Sequence, residues 1–349
     1  MEPRYINNHI HTFYSFSPYS PAAAVYAARA EGLCTAGIID HDSIAGAGEF
    51  IEAGRILDMP VTVGMECRVS MAGTNNPDQA GVSYMTIQSV PHDSIEYLNA
   101  RFAPYREARH RRSRAMIRRM NQLLRDIELD YDRDVLPLSR TSEGGGVTER
   151  HLMYALARRI VQRAGRGSAA IGFLEDAMGV ALSPKQRAQL SDIGYPFYEY
   201  DLLGILKSSF LPGIYIDADE ECPSLDEIAG LCRDIDALLC YAYLGDVTDS
   251  VTGDKKAQKF EDDYLDEVME CMAEHGVRGV TYMPTRNTPA QLARIRELAE
   301  RHGFIQVSGE DINSPRQSFV IRAMDNPAFS NLIESTWKLI DHETKGAKL

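Results

Sequence analysis

The sequence predicts an α/β barrel of about seven strand–helix units, interrupted by a mainly helical insertion. Three observations carry that expectation. Short apolar runs alternate with helical patterns through residues 1–95. From about 95 to 210 helical patterns and loops dominate, and convincing strand patterns are few. The alternation returns near residue 224 and supplies three further strands. The expected organisation is a first barrel segment over 1–95, a helical cap over 96–222 and a second barrel segment over 223–349.

The strand candidates before the insertion are RYINNHIH, TAGIIDHD, VTVGMECRV and SYMTIQSV. A helix fits between the first two. Ser20 offers an N-cap, Pro21 suits the first helical position and Gly32 suits the stop. After Asp42, itself a candidate N-cap, SIAGAGEFIEAGRILDM is apolar at helical spacing. Strand, helix, strand, helix implies a parallel sheet. The insertion contains the long basic helix REARHRRSRAMIRRMNQLLRDI, a glycine-rich loop leading into ERHLMYALARRIVQ, and SPKQRAQL, capped at Ser183. The glycines at 144–146 lack the lysine and spacing of a P-loop and read as a turn. Beyond it, Ser224 and Glu227 form a capping box on SLDEIAGLCRDI. The strand ALLCYAYLGD, the helix DDYLDEVMECMAEHG and the strand VRGVTYMP follow. A helix with Thr288 and Gln291 as capping box and Gly303 as stop leads to the last strand, FIQVSGED.

Composition bounds the function classes. The chain has 349 residues, 44% of them hydrophobic, enough for an ample core. No apolar run approaches the roughly 20 residues of a membrane span, and MEPRYINNHIH lacks a signal-peptide pattern. The six cysteines are scattered without a CxxC pair, so a cytoplasmic setting is expected and a thiolate zinc site is not. A net charge of −13 argues against nonspecific duplex binding.

His9 and His11 stand at i and i+2, on one face of an extended chain. Alone, such a pair can hold a metal or a phosphate, or do nothing. In a barrel the C-terminal ends of the strands converge on one mouth. Those ends supply His9 and His11, then Asp40, His41 and Asp42, then Glu66, and finally Asp311. Imidazole and carboxylate donors without thiolate suit Zn²⁺, Mn²⁺ or Fe²⁺. His41 is the candidate acid–base group, with Asp40 or Asp42 to orient it. Arg286, after the sixth strand, is either a phosphate ligand or a surface arginine. His92, past the fourth strand, is either a replacement ligand or a bystander. The arginines between 101 and 119 either grip a substrate phosphate or pair with the excess acid on a solvated face.

HIHT, followed by IIDHDS, GMEC and SGEDIN, resembles the PHP (polymerase and histidinol phosphatase) superfamily. Its members are metal-dependent phosphoesterases on a distorted seven-stranded (β/α)7 barrel. The likeness is to the branch with a helical insertion after strand four, which acts on nucleotides and short oligonucleotides. It extends over nearly the whole chain, including YMPTRNTPAQLARIRELAERHGF. The resemblance implies that His9, His11, Glu66 and Asp311 hold one metal. It also exposes departures. Phe16 stands where the family has an acid or histidine, Met85 where strand four has a histidine, and Tyr243 in the place of the histidine of AHP. Met283 replaces the histidine of YHP, and Asn313 that of SDxH. Up to three metals share the mouth in the family. Here one ligand set is complete, and the expectation is about one divalent ion per chain. Arg286, Asn313 and Tyr243 are then candidate substrate contacts.

The expected activity is hydrolysis of a small, nucleotide-like phosphate ester. The alternatives are a catalytically silent barrel that binds a ligand or partner, and a hydrolase redirected to an amide or lactone.

Overall fold

A computed structural model describes residues 5–77, 81–124, 126–246 and 261–349. Seven strands form one sheet in the order β1 to β7. They are β1 (Tyr5–Ile10), β2 (Leu33–His41), β3 (Val61–Ser70), β4 (Val82–Gln88), β5 (Leu238–Ala242), β6 (Gly279–Tyr282) and β7 (Ile305–Ser308). The sheet comes back on itself beyond β7. Ile312 pairs with Ile10, and His11 and His9 exchange main-chain bonds with Ile312 at 2.9 and 3.0 Å. The result is a nearly closed barrel.

Helix α1 (Pro21–Glu31) starts and stops where the sequence places it. Ser20 caps the Ala23 amide, and Gly32 takes the left-handed φ of 104°. The helix after Asp42 is shorter than its apolar pattern: α2 is Ala47–Ile56, capped at Gly46, so Asp42 is not its N-cap. Arg4 and Arg125, at the ends of two expected elements, lie outside the described residues.

One correction changes the reading of the mouth. Among the described residues no helix separates β3 from β4, and β4 runs antiparallel to both β3 and β5; the other neighbouring pairs are parallel. The C-terminal end of β4 therefore points to the barrel floor. Its residues alternate accordingly. Met85 packs in the apolar layer outside the sheet, while Tyr84 lines the mouth. A close approach fixes this crossing: a Cβ on Gly64 of β3 would collide with the Ile87 carbonyl of β4.

Between β4 and β5 lie α3 (Ile95–Arg101), α4 (Ala103–Leu123), α5 (Glu149–Ala164), α6 (Ser168–Gly172), α7 (Pro184–Ser191), α8 (Tyr198–Ser209), α9 (Leu211–Ile214) and α10 (Leu225–Asp234). Residues from Met116 to Ile214 build a second apolar cluster, which Phe16 joins. The first cluster surrounds the barrel and includes faces of α1, α2, α10, α11 (Leu265–Glu274) and α12 (Pro289–His302). A last helix, α13 (Ser330–Lys345), closes the floor. Asn8 donates to Thr336 at 3.0 Å, Ser335 to the Gln306 carbonyl at 2.6 Å, and Leu339 packs on Leu238, Cys240 and Val307. No described helix is long and apolar enough to cross a membrane.

Candidate metal centre

The end of β1 brings two imidazoles together. His9 Nε2 and His11 Nε2 lie 3.2 Å apart, and Glu66 Oε2 from β3 lies 3.5 and 3.7 Å from them. All three residues are buried. These spacings test whether a cation fits. Ligands at about 2.1 Å from a tetrahedral ion are about 3.4 Å apart. The three observed separations bracket that edge, and the donors are the nitrogen and oxygen types that a divalent ion takes. The trio fits. Asp311 joins it through His11, its Oδ1 lying 3.2 Å from His11 Nε2.

The first loop is built to aim His11. Asp40 accepts the Thr12 amide at 2.7 Å, the Thr12 hydroxyl at 2.6 Å and the Ser15 hydroxyl at 2.6 Å. Because Ser15 gives its proton to Asp40, its oxygen accepts from His11 Nδ1 at 3.2 Å. That tautomer turns the Nε2 lone pair of His11 toward the trio. Asp40 thus acts on His11 through Ser15 and bonds no atom of His41, contrary to the expected pairing. Asp42 is elsewhere too. At a left-handed φ of 54°, its carboxylate is ion-paired to Arg109.

His41 Nδ1 stands 3.1 Å from Glu66 Oε2, and its ring stacks on His11 at 4.6 Å. Burial pushes the His41 imidazole down to about 3, overriding the Glu66 charge. It is neutral at pH 7. With Nδ1–H given to Glu66, its Nε2 is an acceptor. Burial alone would raise Glu66, but His41 and His9 hold it down to about 2. Burial would likewise raise Asp311, yet the neighbouring His11 holds it well below the usual carboxylate range. For His11, burial is outweighed by Asp311, and its pKa is raised.

A cavity of about 650 Å³ opens onto this centre. Arg286 lines it, half-buried and without a side-chain hydrogen bond or ion pair among the described residues. The other two expected substrate contacts also line it but are already engaged. Asn313 donates its amide to both oxygens of Asp311 at 2.8 and 2.7 Å, and the Tyr243 hydroxyl is held by Asp262. Met283 lies on the wall, whereas Phe16 turns into the aromatic group formed by His151, Tyr154 and Tyr200. His92 is at the opposite end of the barrel, 3.6 Å from Glu343 on α13, because β4 runs downward.

The arginines of α4 divide: Arg111 and Arg114 pair with acid on a solvated face, as one expected course had it, and Arg106, Arg109 and Arg112 follow neither course. Arg109 and Arg112 are buried with Arg68 among Asp42, Glu149 and Glu221, three cations against three carboxylates. Arg106 binds the Asp42 and Asn99 carbonyls at 2.8 and 2.9 Å. Arg111 and Arg114 form exposed pairs with Glu220 and Asp132. Arg106 and Arg109 join α4 to the barrel through Asp42.

Sequence reasoning missed Ser15, Tyr84 and Arg150. The serines of YSFSP were a signal for a loop clamp, and Tyr84 was legible once β4 was reversed. Arg150 lines the cavity from α5, and nothing in its sequence context marked it.

No family model and no curated protein matches the sequence. Solved structures do. A Bifidobacterium adolescentis protein proposed to be a metal-dependent phosphoesterase is 22% identical, covering 95% of this chain and 98% of its own, at a TM-score of 0.61. An amidohydrolase from Chromobacterium violaceum, with bound sulfate and no metal, is 17% identical over 95% and 97%, at 0.60. What is shared is the fold. It spans the barrel and the helices between β4 and β5 together.

Proposed function

We propose that this chain is a metal-dependent hydrolase of phosphate esters, of PHP type, with a reduced site that takes about one divalent ion. The observation that carries the reading is the buried His9–His11–Glu66 trio at ion-binding spacing, with Asp311 against it. Mn²⁺, Zn²⁺ or Fe²⁺ suits that donor set. The neighbouring folds, named as a phosphoesterase and an amidohydrolase, agree with a hydrolase.

When bound, such an ion polarises a phosphoryl oxygen and makes water a better nucleophile at neutral pH. The chain's own groups do the rest. His41, neutral and oriented through Nδ1 by Glu66, presents Nε2 as a hydrogen-bond acceptor that orients an attacking water. Asn313 holds the Asp311 carboxylate from both oxygens. Asp40 fixes the tautomer of His11 through Ser15. Arg286 offers an uncommitted guanidinium to the phosphate. That free cation favours phosphate esters over the amide or lactone alternative, which presents no anion to it. The cavity is of ligand-binding size and suits a small nucleotide-like substrate. Residues 96–222 serve as a cap over the mouth.

The test is a panel of phosphate monoesters, diesters, amides and lactones, assayed with each metal in turn. Metal-dependent phosphate release, lost in His11→Ala, supports the reading. Turnover that survives metal removal, or none on any ester, overturns it in favour of a redirected or silent barrel.

A further inference from the structure

Arg150 stands at the second position of α5 and lines the mouth cavity. One terminal nitrogen donates to the Asn313 carbonyl at 3.0 Å, while Nε is buried without a partner. Arg150 as a whole is part-exposed, but a buried Nε–H with an unmade bond is costly unless an acceptor reaches it. Its central carbon lies 5.4 Å from the centre of the Phe16 ring. Phe16 is itself held in a costly conformation, with a φ of 111° that bulky side chains avoid. His151 abuts the ring edge-on at 4.8 Å, and Tyr154 and Tyr200 pack at 5.4 Å. The arrangement is an aromatic platform beside a cation.

Arg286 faces the same cavity from the loop after β6. Both guanidiniums lie within the field of Asp311, yet neither pairs with it. Among the described residues, histidine and acid donors form a single ion-binding cluster. The cavity wall beside it carries three cations, Arg150, Arg286 and Lys207; among the described residues Arg286 makes no side-chain bond or ion pair, and Arg150 bonds a carbonyl and pairs with no carboxylate.

We propose that Arg150, positioned by the Phe16 ring, and Arg286 form a two-armed oxyanion subsite for the terminal phosphate of the substrate. The inference rests on the phosphate-ester reading above and narrows it. Two planar forks match the several free oxygens of a dianionic phosphate monoester. A diester, with one charge and two substituted oxygens, leaves one fork unmet. Arg150 and Arg286 touch the substrate, and Phe16 is a positioning residue.

Binding of inorganic phosphate to chelator-treated protein, measured by titration calorimetry, separates this subsite from the metal centre. The native chain binds phosphate, and dimethyl phosphate binds more weakly. Arg150→Met and Arg286→Met each weaken phosphate by about 10-fold or more, the scale of a charge-assisted bond. Phe16→Leu weakens it about 3-fold and Phe16→Tyr, which keeps the ring, does not. Arg111→Met, on the exposed face of α4, changes nothing. No phosphate binding by the native chain overturns the proposal. So does undiminished binding in a folded Arg150→Met. If that variant does not fold, Arg150→Lys keeps the charge without the fork, and unchanged affinity there overturns it equally. Metal analysis of the same preparations keeps the two readings apart. Arginine-dependent phosphate binding in a chain that takes no metal sinks the hydrolase and leaves the subsite. Metal binding with arginine-independent phosphate sinks only the subsite.

Discussion

Glu343→Gln should flatten the pH dependence of stability between about pH 4.5 and 7. Glu343 lies on α13 at the barrel floor, with its side chain fully out of solvent. It accepts the Thr62 hydroxyl and the Val63 amide, the latter at 3.1 Å, and faces His92 at 3.6 Å. Burial pushes its carboxyl up from 4.5 to about 7, against the nearby His92 imidazole and the hydrogen bonds from Thr62 and Val63. The folded pKa is above the unfolded one, so the folded chain holds more protons in this window. The stability from this group is therefore complete below pH 4.5 and is lost as pH rises to about 7. A gap of about 2.5 pH units, at about 1.36 kcal/mol each, sets a ceiling of about 3 kcal/mol. Glutamine keeps the shape and an acceptor for Val63 but cannot ionise. Thermal midpoints of both proteins, taken from pH 4.5 to 8 with chelator throughout, give the difference directly. Variant minus native should rise across the window by on the order of 5 °C, because titrating groups remote from Glu343 cancel, and the share that belongs to the facing His92 is removed by repeating the pair on His92→Ala. Parallel curves would refute the argument. A uniform loss at every pH would mean that the hydrogen bonds matter and the ionisation does not.

Other perturbations follow from the same contacts. Glu221→Ala leaves Arg68 and Arg112 short of a partner in a buried cluster, and should lower stability by about 3–5 kcal/mol in denaturant unfolding; a loss below about 1 kcal/mol would show the cluster to be solvated. Asn313→Ala frees both oxygens of Asp311 and should weaken metal affinity by about 10–100-fold in a chain that stays folded; unchanged affinity would detach Asn313 from the centre. His92→Ala, at the far end of the barrel, should leave metal content untouched, and a change in it would contradict the reversed direction of β4.

Much of the fold was legible because local signals agreed with one another. Ser20, Pro21 and Gly32 bound α1 as their chemistry requires, and Thr288, Gln291 and Gly303 do the same for α12. The gathering of His9, His11, His41, Glu66 and Asp311 was legible from topology, since strand ends meet at one mouth. The direction of β4 was not. A strand pattern looks the same read either way, and only the short connection from β3 hinted at a reversal. That ambiguity left His92 a candidate ligand at the mouth, where the structure makes it a bystander at the floor; Met85 came from the resemblance, and its outward face is a matter of side-chain alternation, which strand direction does not change. The roles of Asp40 and of the α4 arginines were hidden for a different reason. Which partner a buried charge takes depends on long-range packing. Arg112, Glu149 and Glu221 meet across 37 and 109 residues of chain.

The centre itself is tested most directly by elemental analysis of protein purified without chelator, alongside His11→Ala and Glu66→Gln. The account predicts about one equivalent of Mn, Zn or Fe in the native chain and a loss of it in both folded variants. A native chain without metal, or variants that keep it undiminished, would contradict the assignment of His9, His11 and Glu66.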